Sequence, residues 1–159
     1  MILRTTAAAV TALTIAFGAI GAQASDVLET AAANPNLSMF TKMVETAGIG
    51  DELKGEGPFT VFAPSDAAFE QVPDAMLEGW LKPENKETLA RLIRFHVIPS
   101  KVTASDLEGK TSELDTLSEQ KMTVDGNSSP IFVEEGAIET ADVEADNGVI
   151  HIIDAVVGL

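Results

Sequence analysis

Apolar side chains recur every three or four positions through the N-terminal half of the chain, which is the spacing of one face of an α-helix. Residues 37–47 show this spacing, and Gly48 follows at the place where a left-handed residue commonly ends a helix. The same spacing predicts a short helix over residues 26–33 and a longer one over residues 84–95. The N-terminal half is therefore predicted to be mainly helical.

Strand patterns also occur, and most of them lie in the C-terminal half. Residues 59–63 are a continuous apolar run, typical of a buried strand, and Ser65 follows in a position to cap a helix. Residues 121–125 alternate between polar and apolar side chains and end in Asp125-Gly126, which predicts a tight turn into a partner strand over residues 131–134.

The last strand pair is predicted by a second turn signal. Residues 142–146 alternate acidic and apolar side chains, and Asn147-Gly148 predicts a tight turn into a long apolar strand over residues 149–157. Both faces of that strand are apolar, so we expect it in the centre of a sheet. Asp142, Glu144 and Asp146 are expected on its neighbour's solvent face rather than in a calcium loop, because the glycine and the bidentate glutamate of such a loop are missing. Helices first and hairpins later indicate an α+β domain.

Composition narrows the class of protein. The chain has 159 residues, which is the usual size of one domain. It carries ten Lys and Arg against 25 Asp and Glu, a formal charge of −15. A protein this acidic is repelled by phosphate backbones, so we exclude nucleic acid as a partner. With no Cys, it has neither a disulfide nor a thiolate metal site.

The first 24 residues have the organisation of a cleavable signal peptide. Arg4 precedes a charge-free apolar run over residues 5–20, and Ala22-Gln23-Ala24 has the small-x-small form of a signal-peptidase site. Residues 25–159 contain no further long apolar run, so we expect no transmembrane anchor in the mature chain. They are predicted to form a single exported domain, periplasmic or extracellular and soluble after cleavage.

The search for reactive groups nominates no catalytic, cofactor-binding or metal-binding residue. His96 and His151 lie in apolar surroundings without the spacing of a metal motif, which favours hydrogen-bonded core histidines. Ser65 lacks the flanking glycines of a hydrolase nucleophile and is interpreted as a helix cap. A secreted hydrolase that uses Asp66, His96 or His151 is kept as an alternative. Burial of the imidazoles would argue against it.

Three segments resemble the motifs of one known family. Residues 57–69 (GPFTVFAPSDAAF) resemble the first signature motif of the fasciclin domain, and residues 147–157 (NGVIHIIDAVV) resemble the second. Between them, residues 89–102 (LARLIRFHVIPSKV) resemble the central Tyr-His segment. The resemblance covers Asp26 to Val157. It implies an α+β fold in which antiparallel strands form a wedge or sandwich with helices packed around it.

The resemblance also implies roles for individual residues. The family-motif residues, which we interpret as structural, are Phe59, Phe62, Pro64, Ser65, Asp66, Phe69, Asn147, Gly148, His151 and Asp154. Phe95, His96, Val97 and Ile98 form a candidate partner-binding segment, in which Phe95 replaces the family's Tyr. Ser118-Glu119 departs from the family at a turn that usually carries Gly. We further predict a buried hydrogen bond between His96 and the Asp66 carboxylate.

The function implied by the resemblance is a non-enzymatic exported binding module that acts in adhesion, surface attachment or matrix interaction. The expected partner is a surface or matrix protein or polysaccharide, and self-association into a homo-oligomer is one way to raise the avidity of a single domain. No cofactor is expected. The alternative is a periplasmic stress-related or accessory protein that binds a small ligand or a protein.

Overall fold

The computed structural model of the protein describes residues 25–159. The predicted signal peptide, residues 1–24, lies outside the described residues, so its cleavage stays a prediction. The described part begins just before the first helix, whose N-cap Asp26 accepts a hydrogen bond from the Glu29 amide at 2.8 Å.

Most of the helices lie in the N-terminal half, as predicted. They are α1 (Val27–Ala32), α2 (Ser38–Ala47), α3 (Gly50–Leu53), α4 (Asp66–Glu70), α5 (Asp74–Trp80), α6 (Lys86–Phe95) and α7 (Ala104–Leu107), with short 3-10 turns at Pro35–Leu37 and Pro83–Asn85. The three helices predicted from periodicity correspond to α1, α2 and α6. Gly48 ends α2 with φ of 71°, the left-handed conformation that its position predicts.

Seven strands form the sheet. They are β1 (Phe59–Pro64), β2 (Val97–Ile98), β3 (Thr111–Asp115), β4 (Lys121–Asp125), β5 (Phe132–Val133), β6 (Gly136–Ala145) and β7 (Gly148–Ile153), in the order β2-β1-β7-β6-β5-β4-β3. Every pairing is antiparallel, as the fold class predicts, except that β1 and β7 run parallel. β7 is buried along its whole length and lies between β1 and β6, which confirms its central position.

Some strand boundaries differ from the prediction. β4 and β5 pair as predicted, but residues 126–131 separate them, so the tight turn at Asp125-Gly126 is wrong. β7 ends at Ile153 rather than at residue 157. Asp154 explains this early end, because its amide donates to Ala137 and its carboxylate accepts from the same residue. The pattern also missed β3, whose partly exposed side chains lack a clear apolar face.

The strands divide the interior into two cores. One face of β1 and β7 contributes Val61 and Ile150 to a core shared with helices α1, α2 and α6. The opposite face contributes Phe62 and Ile153 to a second core that β4, β5 and β6 complete. Irregular pairing of β6 between Ile138 and Val143 lies where β6 passes from one group of strands to the other. The predicted α+β fold is therefore confirmed, with one seven-stranded sheet and helices that contribute to both cores.

Candidate functional site

The first motif joins β1 to α4 and anchors a second helix. The Ser65 hydroxyl accepts a hydrogen bond from the Ala68 amide at 3.3 Å and so caps α4. Asp66 accepts from the Met39 amide at 2.8 Å, in the first turn of α2, where the N-cap residue Leu37 has no side chain that can accept a bond. A carboxylate at this end of α2 also meets the positive end of the helix dipole.

The apolar residues of the first motif fill the core, with one exception. Phe62, Pro64 and Phe69 are buried, whereas Phe59 is only partly buried. Phe59 packs at the border of the helical core.

The second motif is built around Asn147. Its Oδ1 accepts from the Val27 amide at 2.8 Å, and its Nδ2 donates to the carbonyls of Leu53 and Gly55 at 2.8 and 2.9 Å. One side chain therefore connects the β6–β7 turn to α1 and to the end of α3. Gly148 comes next, and its backbone lies against that of Phe59. A Cβ on Gly148 would be only 1.9 Å from the Phe59 carbonyl oxygen, so only glycine fits there.

His151 is a buried member of the sheet. Its Nε2 lies 2.7 Å from the Val102 carbonyl and donates to it, so Nδ1 is the acceptor for the Asp142 amide at 3.2 Å. The imidazole also stacks on Phe62 with ring centroids 5.3 Å apart. Burial lowers the pKa of His151, against the opposing effects of the Val102 carbonyl and the Asp142 carboxylate. The ring is therefore held neutral, as a core histidine should be.

His96 is also buried, but the predicted bond to Asp66 is wrong. Its Nδ1 lies 2.8 Å from the Leu92 carbonyl, one turn back along α6, and its Nε2 accepts from the Val157 amide at 3.4 Å. Asp66 lies at the start of α2 instead, bonded to Met39. Burial lowers the pKa of His96 to about 4, against the opposing effect of the Leu92 carbonyl. His96 therefore ties α6 to the C-terminal segment.

A groove of about 730 Å³ runs along the exposed side of α6. We call it the α6 groove; its charged side chains are Glu52, Lys86, Glu87, Arg91, Arg94 and Glu119. Arg94 forms a two-point ion pair with Glu52, in which Nε lies 3.0 Å from Oε2. The hydrogen bond from Arg94 lowers the pKa of Glu52, and the same bond raises the pKa of Arg94. Both groups are therefore charged at neutral pH.

A smaller, mainly apolar depression of about 270 Å³ has one lining residue in common with this groove. We call it the Trp80 pocket; it is lined by Met76, Trp80, Leu92, Phe95, Leu159 and Arg91. The lining residue that the two depressions share is Arg91. Trp80 is the chain's one tryptophan and is partly exposed.

Comparison with known proteins decides the family. The family model of the fasciclin domain matches residues 35–158, most of the chain. The chain belongs to the fasciclin domain family. It is 37% identical over 134 residues to protein sll1483 of Synechocystis, with 84% of this chain and 73% of that protein covered. It is also 32% identical over 145 residues to the cell surface glycolipoprotein MPB83 of Mycobacterium bovis, with 87% of this chain and 63% of that protein covered.

The fold agrees with this assignment. A structure of a FAS1 domain pair from the insect cell adhesion molecule fasciclin I superimposes with a TM-score of 0.76. The match covers 85% of this chain and 51% of that one at 19% sequence identity. The expectation of a fasciclin fold is therefore confirmed.

The candidate partner-binding segment of this fasciclin domain lies inside the fold. Phe95, His96, Val97 and Ile98 are at most 8% exposed. Phe95 packs in the second core, while Val97 and Ile98 form the short strand β2 beside β1. A partner cannot reach these side chains without moving the elements that cover them. Of these four residues, Phe95 also lines the Trp80 pocket.

The described residues offer little support for a hydrolase. Both imidazoles are buried, and the hydrogen bonds of His96, His151 and Asp66 go to main-chain groups. Within residues 25–159, no group of three or more His, Asp or Glu side chains could hold a metal ion. Over the same range, no helix has the length and apolar character needed to cross a membrane.

The sequence prediction missed the α6 groove. Within it, Arg94 pairs with Glu52, while Arg91 has no ion pair among the described residues. The groove joins α3, α6 and the β3–β4 turn, which are far apart in the chain. The one feature of the sequence that could have indicated the groove is the position of Arg91 and Arg94 on the outer face of α6.

Proposed function

We propose that the protein is an exported, non-enzymatic binding module that acts in cell adhesion, surface attachment or matrix interaction. The observation that carries this proposal is the match of the fasciclin family model to residues 35–158. Two similar proteins support it by name, since one is a cell surface glycolipoprotein and the other an insect cell adhesion molecule. The expected partner is a surface or matrix protein or polysaccharide.

The arrangement of polar motif residues supports a binding role over a catalytic one. Ser65, Asp66, Asn147 and Asp154 each hold main-chain amides at the ends of helices or strands. Their hydrogen-bonding groups are engaged in maintaining the fold, and the two neutral imidazoles are enclosed. A catalytic acid or base must instead reach a substrate in a cleft.

Export is tested by the N-terminus of the mature protein. If residues 1–24 are a signal peptide, protein isolated from the periplasm or culture medium begins at Ser25. Recovery of protein that begins at Met1 in the cytoplasm would contradict export. The assay also decides between periplasmic and extracellular locations.

Binding is tested by retention on immobilised protein. Envelope and surface extracts of the source organism are passed over the protein at low and at raised salt, with an unrelated protein of similar acidity as the control. Saturable retention of a protein or polysaccharide is expected. Loss of that retention at raised salt would assign it to charged faces, because salt screens exposed charges. No specific retention at micromolar concentration would contradict the proposed function.

A further inference from the structure

The α6 groove differs in charge from the rest of the molecule. Of the ten Lys and Arg, only Arg4 lies outside the described residues, so nine are set against 25 acidic side chains there. The groove holds three of those nine and only three of the acidic ones, so its formal charge is zero. The remaining surface carries the whole excess of negative charge.

The distribution of charge around the α6 groove restricts the class of ligand that can bind there. A polyanion would be repelled by the surface on both sides of the groove, and a polycation would be drawn to the acidic faces instead of to the groove. An uncharged ligand with many hydroxyl groups meets neither problem. Its hydroxyls can donate to carboxylates and accept from guanidinium groups, both of which line the groove.

The Trp80 pocket adds an apolar platform to this polar groove. The partly exposed indole of Trp80 lines this pocket together with Met76, which is 45% exposed, and Arg91 lines both the pocket and the groove. Aromatic rings present a broad apolar face at low entropic cost, and the C–H face of a sugar ring packs against such a surface. The apolar pocket suits the C–H face of a sugar ring, and the polar groove suits the hydroxyl groups at its edge.

Glu119 brings an unusual backbone conformation to the α6 groove. It adopts a left-handed conformation with φ of 66° in the β3–β4 turn, where Gly would be unstrained, and it lines the groove. Its amide donates to the Thr116 carbonyl, which keeps the turn closed. A strained non-glycine residue of this kind is typical of a functional site. Here it adds a carboxylate to the groove that Arg91 and Arg94 also line.

We infer that the α6 groove and the Trp80 pocket bind an uncharged oligosaccharide. A sugar ring packs on Trp80, and the hydroxyls of the ring and its neighbours hydrogen-bond to Arg91 and Glu119. The Glu52–Arg94 pair joins α3 to α6 within the same groove. This inference rests on the proposed binding function and names the ligand class and the surface that would carry it.

Trp80 makes the binding directly measurable, because it is the protein's one tryptophan. The intrinsic fluorescence of the protein is recorded during titration with cello-, malto-, manno- and chito-oligosaccharides. We expect a saturable change in Trp80 emission with at least one of these series. Oligogalacturonate and oligolysine serve as anionic and cationic comparisons. No saturation by any uncharged series at millimolar concentration, or tighter binding of either charged comparison, would overturn the inference.

Variants locate the binding, and calorimetry measures their affinities. We expect Arg91→Ala, Trp80→Ala and Glu119→Gly each to weaken the binding by about tenfold or more. Lys110→Ala makes the same charge change as Arg91→Ala outside the groove and should leave the affinity unchanged. Glu119→Gly is the sharpest test, because relief of its backbone conformation should raise the urea midpoint while the affinity falls. Unchanged affinity in all three groove variants would place the ligand elsewhere.

The groove inference and the proposed adhesion function can be tested separately. If the immobilised protein and its Arg91→Ala and Glu119→Gly variants retain envelope material equally, the adhesion function stands and the groove inference is wrong. If oligosaccharide binding depends on these residues but envelope material is not retained, the groove inference stands and the adhesion function is wrong.

Discussion

At the residue scale, the Asn147 side chain connects the β6–β7 turn to two helices that are distant in the sequence. Its side chain makes hydrogen bonds to Val27, Leu53 and Gly55, all of them main-chain groups far away in sequence. Replacement by Ala would leave one amide and two carbonyls without these partners. We expect Asn147→Ala to lower the free energy of unfolding by about 2–4 kcal/mol, measured by urea denaturation.

A matched control is available at Asn127, which is exposed and bonds only to side chains and its own turn. Asn127→Ala should change the free energy of unfolding by about 0.5 kcal/mol or less. Equal losses in the two variants would show that the long-range bonds of Asn147 contribute nothing beyond an ordinary turn.

His96 gives the protein a predictable response to acid. Its pKa is about 4 in the folded protein against 6.5 for the free side chain, so the unfolded chain binds more protons between these values. The stabilisation that comes from keeping His96 neutral is therefore fully present above pH 6.5 and is lost as the pH falls toward 4. We expect His96 to account for roughly 3 kcal/mol of that loss, measured as urea midpoints across this pH range.

The comparison for this prediction is His96→Gln, which keeps hydrogen-bonding capacity but does not titrate. Its free energy of unfolding should fall less steeply than that of the parent over the same pH range. Parallel curves would assign the acid sensitivity to other groups, of which His151 is one, since burial lowers its pKa also.

His96→Ala should lower the free energy of unfolding at neutral pH by about 1–3 kcal/mol, because the Val157 amide and the Leu92 carbonyl lose their partner.

Glu119 illustrates a residue whose side chain and backbone have opposing requirements. Its left-handed φ of 66° is unfavourable for any residue with a Cβ. We expect Glu119→Gly to raise the free energy of unfolding by about 1 kcal/mol in urea denaturation. Glu119→Ala keeps the Cβ and should give no such gain. A gain of equal size with Ala would mean that removal of the negative charge, and not the backbone, is responsible.

At the element scale, the parallel pairing of β1 with β7 depends on a glycine. Gly148 opens β7 opposite Phe59, so near its backbone that a Cβ would lie 1.9 Å from the Phe59 carbonyl oxygen. Because neither backbone can move without breaking the pairing, Gly148→Ala should lower the free energy of unfolding by about 3 kcal/mol or more. Circular dichroism and urea denaturation report whether the variant folds.

Gly79 is the natural control for this substitution. It lies inside α5, and a Cβ there would meet nothing within 4 Å. Gly79→Ala should raise stability by about 0.5–1 kcal/mol, because alanine favours the helix more than glycine does. If both variants lose stability equally, the close approach of β1 and β7 is not the cause.

At the scale of the whole molecule, the imbalance of charge should make stability depend on salt. Only two ion pairs occur among the described residues, Arg94–Glu52 and Lys121–Glu113, and both are exposed. Repulsion among the remaining acidic groups is therefore poorly compensated, and salt screens it. We expect the urea midpoint to rise when NaCl is raised from about 10 mM to about 0.5 M. A falling midpoint would mean that the ion pairs outweigh the repulsion.

The sequence by itself determined the local features of this fold. Helices α2 and α6, strands β1 and β7 and the left-handed end at Gly48 follow from periodicity and from residues within the same segment. The burial of His96 and His151 was also predictable, because each lies in an apolar stretch. The two fasciclin motifs identified the family for the same reason, since each is a short continuous run of residues.

Only the tertiary structure decided which distant residues meet. The Asp66 carboxylate bonds to the start of α2 and not, as predicted, to His96. The parallel pairing of β1 with β7 and the α6 groove likewise join segments separated by many residues. Periodicity reports which face of an element is buried, but not which element covers it. That choice depends on packing of the whole chain, and here the packing enclosed the Phe95–Ile98 segment and left Arg91 and Trp80 accessible.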